Sequence, residues 1–117
     1  MGFIEADLHS HTTASDGLLT PSELVQLAHE LGLKALGITD HDTVQGWQEA
    51  EAAGLEWGVE ILKGIELNTD WEGTEVHILG YELNPESPEL VQRLEFLRHA
   101  REKRMLEIIK RLRKLSI

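Results

Sequence analysis

Short apolar runs separated by helix-length amphipathic segments constrain this chain more than any other feature. Thr20-Pro21-Ser22-Glu23 is a strong helix start: Thr20 suits the cap, Pro21 the first helical position, and Glu23 a capping box. Leu24, Leu27, Ala28 and Leu31 then recur at helical spacing, and Gly32 supplies a stop. Asp42 or Thr43 is expected to cap a second helix that runs to about residue 53 and halts at Gly54. Residues 3–8, 34–39, 59–67 and 75–81 read as strands, the last two joined by the turn-rich NTDWEG. Ser87-Pro88 opens a long helix to about residue 115. Its Leu90, Leu94, Leu97, Met105, Ile108, Ile109, Leu112 and Leu115 form one stripe, interrupted near Arg101. The order β-α-β-α-β-β-α predicts an α/β fold with a largely parallel sheet. Residues 1–84 form its sheet-bearing part and residues 85–117 a basic amphipathic helix.

Composition narrows the chemistry. The chain has no cysteine, so thiolate sites and disulfides are excluded, and histidine and carboxylate remain as metal ligands. The opening MGFIEADLH is too short and acidic for a signal peptide, and no apolar run approaches the ~20 residues of a membrane helix. A cytoplasmic location is the expectation. Charge is divided unevenly. Residues 1–91 hold two basic residues, Lys34 and Lys63, against eighteen acidic ones, whereas residues 92–117 hold nine basic and three acidic. A solvated acidic surface accounts for most of this. Acidic groups converging on cations are the sharper alternative.

Position favours the second reading for a few residues. His9 and His11 lie just past the first strand, Asp40, His41 and Asp42 just past the second, Glu66 at the end of the third, and His77 within the fourth. In parallel α/β sheets the strand C-terminal ends face one side, where ligands bind. Residues i and i+2 of an extended segment share a face, so His9 and His11 can grip one ion together. Asp16 and Glu66 add anionic oxygens, and either aspartate beside His41 could orient its ring. Each residue alone has a plainer explanation: Asp16-Gly17 as a turn, Asp42 as a cap, His77 as a packed or surface residue, Asp40 as support for a ligand. Their joint placement at strand ends raises the metal reading. His29 and His99 fall within helices and receive no role, and Ser10, Thr12, Thr13 and Ser15 shape the first loop. No G-x-S-x-G elbow, P-loop or dinucleotide fingerprint is present.

ADLHSHTTASDG, GLKALGITDHDT, GIELNT and EVHILGY, in this order over residues 5–81, resemble the PHP (polymerase and histidinol phosphatase) family. The resemblance is closest to its stand-alone phosphoesterases of the TrpH and RNase AM type. It implies the front half of a distorted (β/α)7 barrel with two or three divalent ions (Mn²⁺, Fe²⁺ or Zn²⁺). It implies His9 and His11 on the first metal, Glu66 bridging the first and second, His77 on the second, and Asp16 and His41 on the third. The implied activity is phosphoester hydrolysis of nucleotides or short oligonucleotides, with a metal-bound hydroxide as nucleophile. One departure stands out. Members of this branch are more than twice as long and supply a further histidine and a late Asp-x-His pair, which nothing after His77 matches here. The chain therefore reads as an incomplete site. Closure by a second copy, an element swap or a missing C-terminal half is expected.

Two other functions compete. A wider amidohydrolase-type barrel also carries H-x-H after its first strand, and would need Lys63 as a carbamylated ligand. A non-catalytic metal-binding or assembly module would use the acidic part for metal or a basic partner, and residues 92–114 as a docking helix. Arg98, Arg101, Arg104 and Arg111 could touch nucleic acid, although a solvated helix face explains them as well.

Overall fold

The computed structural model describes residues 5–116. Seven elements follow one another: β1 (Ala6–Ser10), α1 (Pro21–Glu30), β2 (Ala35–Ile38), α2 (Trp47–Trp57), β3 (Glu60–Trp71), β4 (Thr74–Tyr81) and α3 (Pro88–Lys114). The α/β class and element order are those expected. The first three strands are parallel neighbours, and β4 pairs antiparallel with β3, giving the sheet order β1-β2-β3-β4. The Tyr81 hydroxyl, on one edge strand, donates to the Leu8 carbonyl on the other at 2.6 Å. That reach across the sheet requires it to curl, as the wall of a barrel does. The chain divides into two compact units, Met1–Leu83 and Asn84–Ile117.

One face of the sheet carries the core. Val25 and Ala28 of α1 and Trp47, Ala50 and Ala53 of α2 pack with Leu36 and Ile38 of β2 and with Val59. The Trp47 indole N–H donates to the Gly64 carbonyl at 2.8 Å, so its polar atom is satisfied inside this layer. α1 begins as its sequence predicts: the Thr20 hydroxyl accepts from the Glu23 N–H at 3.2 Å. The Ser22 N–H donates to Glu49 at 2.9 Å, which ties the starts of the two helices together. Gly32, at φ 78°, reverses the chain after α1.

Several boundaries differ from expectation, each for a physical reason. Phe3 and Ile4 lie outside the described residues, and β1 begins at Ala6. α2 is not capped by Asp42 or Thr43. It starts at Trp47 with Gly46 as its cap and no side-chain cap bond. Asp42 instead takes φ 53°, and its N–H donates to the Glu66 carbonyl. Nor does Gly54 stop α2, which runs on to Trp57 and ends at left-handed Gly58. Gly54 is small because β3 passes close by: a Cβ there would lie 2.5 Å from the Val59 carbonyl oxygen. The NTDWEG stretch is mostly strand. β3 continues to Trp71, and the turn is the Glu72-Gly73 pair, both at positive φ, as a two-residue hairpin requires.

In the second unit α3 begins at Pro88, with the Ser87 hydroxyl accepting from the Leu90 N–H. None of its residues is buried, so the apolar stripe is largely open, with Met105 and Ile108 exposed. No helix among the described residues is long and apolar enough to cross a membrane.

Candidate metal centre

β2 delivers Asp40, His41 and Asp42 just past its end, whereas β1 runs on to Ser10, so His9 lies within the strand and only His11 beyond it. Glu66 differs too. It lies in the middle of β3, because β3 outruns β2. The parallel ladder ends at Ile38↔Lys63, and only the isolated bridge His41↔Glu66 lies beyond it. Glu66 therefore sits at the rim of the parallel part while remaining inside the hairpin with β4. Its residue is 3% exposed, so an otherwise solvated group has been taken out of water.

Four imidazoles surround that carboxylate. One oxygen, Oε1, lies 2.6 Å from His9 Nε2 and 3.1 Å from His11 Nε2. The other, Oε2, lies 2.5 Å from His77 Nδ1 and 3.8 Å from His41 Nδ1. Asp16 stands further out, with Oδ1 3.2 Å from His11 Nδ1 and Oδ2 3.3 Å from His41 Nε2. The rings of His11 and His41 stack at 4.5 Å. Two groups of three have donor atoms close enough to share an ion: His9, His11 and Glu66, and His11, Asp16 and His41. His77 is in neither group. It faces the second oxygen of Glu66, and its other nitrogen lies 2.9 Å from Glu75 Oε1.

The electrostatics follow from these contacts. Burial pushes the Glu66 carboxyl up. The hydrogen bond from His9, the charge of His41 and the bond from His77 outweigh it and hold the group below the usual carboxylate range. His77 is raised, chiefly by its hydrogen bond to Glu75 and then, against partial desolvation, by Glu66.

The local backbone explains how β1 aims two rings at one oxygen. Its pairing with β2 shifts register between Asp7 and Ser10, the mark of a bulge. There Leu8 presses against Gly37, where any Cβ would lie 2.6 Å from the Leu8 carbonyl oxygen. Downstream, Asp40 braces the loop that carries His11 and Asp16. Its buried carboxylate accepts from the Thr12 N–H at 2.7 Å, the Thr12 hydroxyl at 2.8 Å and the Ser15 hydroxyl at 2.7 Å. These contacts draw Asp40 to the loop and not to the His41 ring.

Two residues near the site were not anticipated. Asn68 Oδ1 lies 3.2 Å from His41 Nδ1, and Glu75 contacts His77. Strand periodicity could have found both, since Asn68 follows Glu66 by two and Glu75 precedes His77 by two. His29 lies against Trp57, and His99 lies near Glu102 on α3.

A curled α/β sheet that gathers four histidines round one buried glutamate offers nitrogen and oxygen donors of the kind that suit divalent cations. The sequence profile of the PHP domain matches residues 7–114, and this chain belongs to that family. It is 44% identical over 111 residues to a 5'-3' exoribonuclease of Haemophilus influenzae, covering 95% of this chain and 40% of that protein. It is 39% identical over 95 residues to a 3',5'-nucleoside bisphosphate phosphatase of Chromobacterium violaceum, covering 81% of this chain and 33% of that protein. Among solved structures, an amidohydrolase of Chromobacterium violaceum with bound sulfate and no metal superposes with a TM-score of 0.84 at 37% identity, over 88% of this chain and 36% of the other. A Bifidobacterium adolescentis protein, provisionally classed as a metal-dependent phosphoesterase, gives 0.90 at 38% identity, over 93% and 38%. The chain thus spans a third to two fifths of the length of these curated relatives.

Proposed function

We propose that this chain is the metal-binding front of a phosphoesterase acting on nucleotides or short oligonucleotides. The observation that carries the reading is the buried Glu66 carboxylate, with two imidazoles on one oxygen and a third on the other. The donor set suits hard-to-borderline divalent ions such as Mn²⁺, Fe²⁺ or Zn²⁺. His11 Nδ1 supports the fit: it is buried without a well-directed hydrogen bond, although Asp16 lies beside it.

In this reading His9, His11 and Glu66 would hold one ion, Glu66 and His77 a second, and Asp16 and His41 a third. When bound, such ions supply Lewis-acid charge to the phosphoryl oxygens and lower the pKa of water. The chain's residues prepare for this. Glu66 stays anionic because its imidazole neighbours favour the charged form. Asp40 fixes the loop that presents His11 and Asp16. With only two basic residues in the first 91, a phosphate would meet positive charge chiefly where cations are bound.

The relatives' names favour nucleotide chemistry over other phosphoesters. The amidohydrolase alternative is disfavoured by Lys63, whose Nζ lies 4.0 Å from Glu51 of α2, on the core side of the sheet. The edges of the sheet support a further element of the reading. β1 is exposed from Ala6 to His9, and β4 is exposed over most of its length. A second copy, a swapped element or a C-terminal half would close them.

The test combines metal analysis and native mass of the purified protein with hydrolysis of p-nitrophenyl phosphate in Mn²⁺. Bound divalent metal that is lost in His9→Ala supports the site. Metal-dependent hydrolysis that is lost in the same variant supports the enzyme. Bound metal without hydrolysis favours the non-catalytic module. Absence of metal at millimolar Mn²⁺ and Zn²⁺ refutes both readings.

A further inference from the structure

Among the described residues, the well-directed hydrogen bond of the His41 ring goes to a residue outside the ligand set. Its Nδ1 lies 3.2 Å from the Asn68 side-chain oxygen. Its Nε2 points the other way, 3.3 Å from Asp16 and toward the group formed by His11, Asp16 and His41. A neutral imidazole carries a single N–H. The Asn68 oxygen is aligned as an acceptor at Nδ1, whereas the Asp16 oxygen lies near Nε2 without hydrogen-bond alignment, so the proton is retained at Nδ1 and the lone pair is left at Nε2.

Asn68 is held where it can do this. It lies on β3 two residues beyond Glu66, on the same face, and pairs directly across the hairpin with His77. Thus one strand presents a buried carboxylate and, one pleat further on, an amide oxygen that faces a different histidine. Sheet register fixes both, since a slip of one residue would turn Asn68 to the opposite face. The chemistry of the amide matters as well. A carbonyl oxygen accepts the Nδ1 proton but carries no charge, so it orients the ring without adding another anion beside Glu66 and Asp16.

We propose that Asn68 is a positioning residue that selects the Nδ1–H tautomer of His41, so that the ring offers Nε2 to an ion shared with Asp16. The inference rests on the metal reading for the ion. The tautomer is a property of the protein alone and can be read without metal.

The test uses long-range proton–nitrogen NMR spectra of histidine-labelled protein in chelator, at a pH where the ring is neutral. His41 is expected as the Nδ1–H form in the native protein and in Asn68→Asp, which keeps an acceptor. In Asn68→Leu it should shift toward the Nε2–H form that free imidazole side chains prefer. An Nε2–H form in the native protein overturns the proposal. So does an unchanged tautomer in folded Asn68→Leu, while an unfolded variant leaves the native spectrum to decide. Cadmium-113 supplies the second arm. Coupling from the ion to His41 Nε2 is expected, with affinity about 10–100-fold weaker in Asn68→Leu, the usual effect of losing a partner behind a ligand. Coupling to Nδ1 overturns the proposal. If no cadmium binds, the metal reading falls, and the tautomer in chelator still decides the role of Asn68.

Discussion

Replacing Asp40 by alanine tests how the site is held. Asp40 is 1% exposed and Thr12 fully buried, so neither can turn to water when the other is lost. The carboxylate accepts three hydrogen bonds, two from Thr12 and one from Ser15. Bonds to a charged acceptor contribute about 1.5–3 kcal/mol each. They act on one loop, so their losses do not add in full. The Thr12 hydroxyl also accepts from the Ala14 N–H at 3.0 Å, which keeps part of the loop in place. Removing the buried acid also removes its own desolvation cost, which offsets some of the loss. The net expectation is a destabilisation of about 3 kcal/mol, the range for breaking a buried polar network.

A domain of this size unfolds with an m-value of about 1–1.5 kcal/mol per molar urea, so the midpoint should fall by roughly 2–3 M. Fluorescence of buried Trp47 reports the transition. Asp40→Asn keeps one acceptor oxygen but turns an amide N–H₂ toward donors, and should fall between the alanine variant and the native chain. A midpoint shift below about 0.5 M in Asp40→Ala would mean that the loop is held by other contacts, and the bracing argument would fail.

Three further outcomes follow from particular contacts. Gly54→Ala should destabilise by about 2 kcal/mol in urea melts: the gain in helix propensity is about 1 kcal/mol, but the new Cβ would meet the Val59 carbonyl oxygen at 2.5 Å. A stabilised variant would show that α2 and β3 can separate at no cost. In chelator, melting temperature should pass through a maximum with pH. The lowered Glu66 contributes stability that is complete above the ordinary carboxylate value and is lost as pH falls through its own value. The raised His77 contributes below the ordinary imidazole value and loses it as pH rises through its own. A melting temperature that climbs steadily into alkali would contradict the His77 contact. Tyr81→Phe should cost about 0.5–1.5 kcal/mol by removing the bond to Leu8, and weaken metal binding through His9. Unchanged binding would separate the curl of the sheet from the aim of β1.

Local signals carried most of the fold. The Thr20 and Ser87 caps, the prolines after them and the period of the apolar positions are written in neighbouring residues, and α1 and α3 begin where these place them. The misjudged boundaries depend on contacts distant in sequence. Gly54 reads as a stop, yet it is glycine because β3 passes against it. Asp42 reads as a cap until its backbone is seen bonded to Glu66, which lies 24 positions on. NTDWEG reads as a loop because it is rich in turn residues, of which Asn68 and Asp70 in fact share the strand face of Glu66. That bias toward loops also hid Asn68. The metal-ligand candidates were legible as residue types at strand ends, but the division of Glu66 into one oxygen for His9 and His11 and the other for His77 depends on hairpin register, which composition does not encode.

The two faces of the sheet show why stability and chemistry can be separated in so short a chain. Leu36 and Ile38 of β2 pack with Trp47 and Val25 in the helix layer, a core that contains none of the histidines. The opposite face carries the buried Glu66 carboxylate, held in its charged form by the imidazoles around it. Substitutions in the helix layer should therefore lower stability and metal affinity together, since the rim is positioned by the sheet. Substitutions at His9 should lower affinity with a smaller loss of stability, because its side chain is half exposed and its loss opens no cavity, although the buried Glu66 carboxylate loses a hydrogen bond. A His9→Ala variant as destabilised in chelator as Val25→Ala would show that the cluster is part of the core, and the separation of the two faces would not hold.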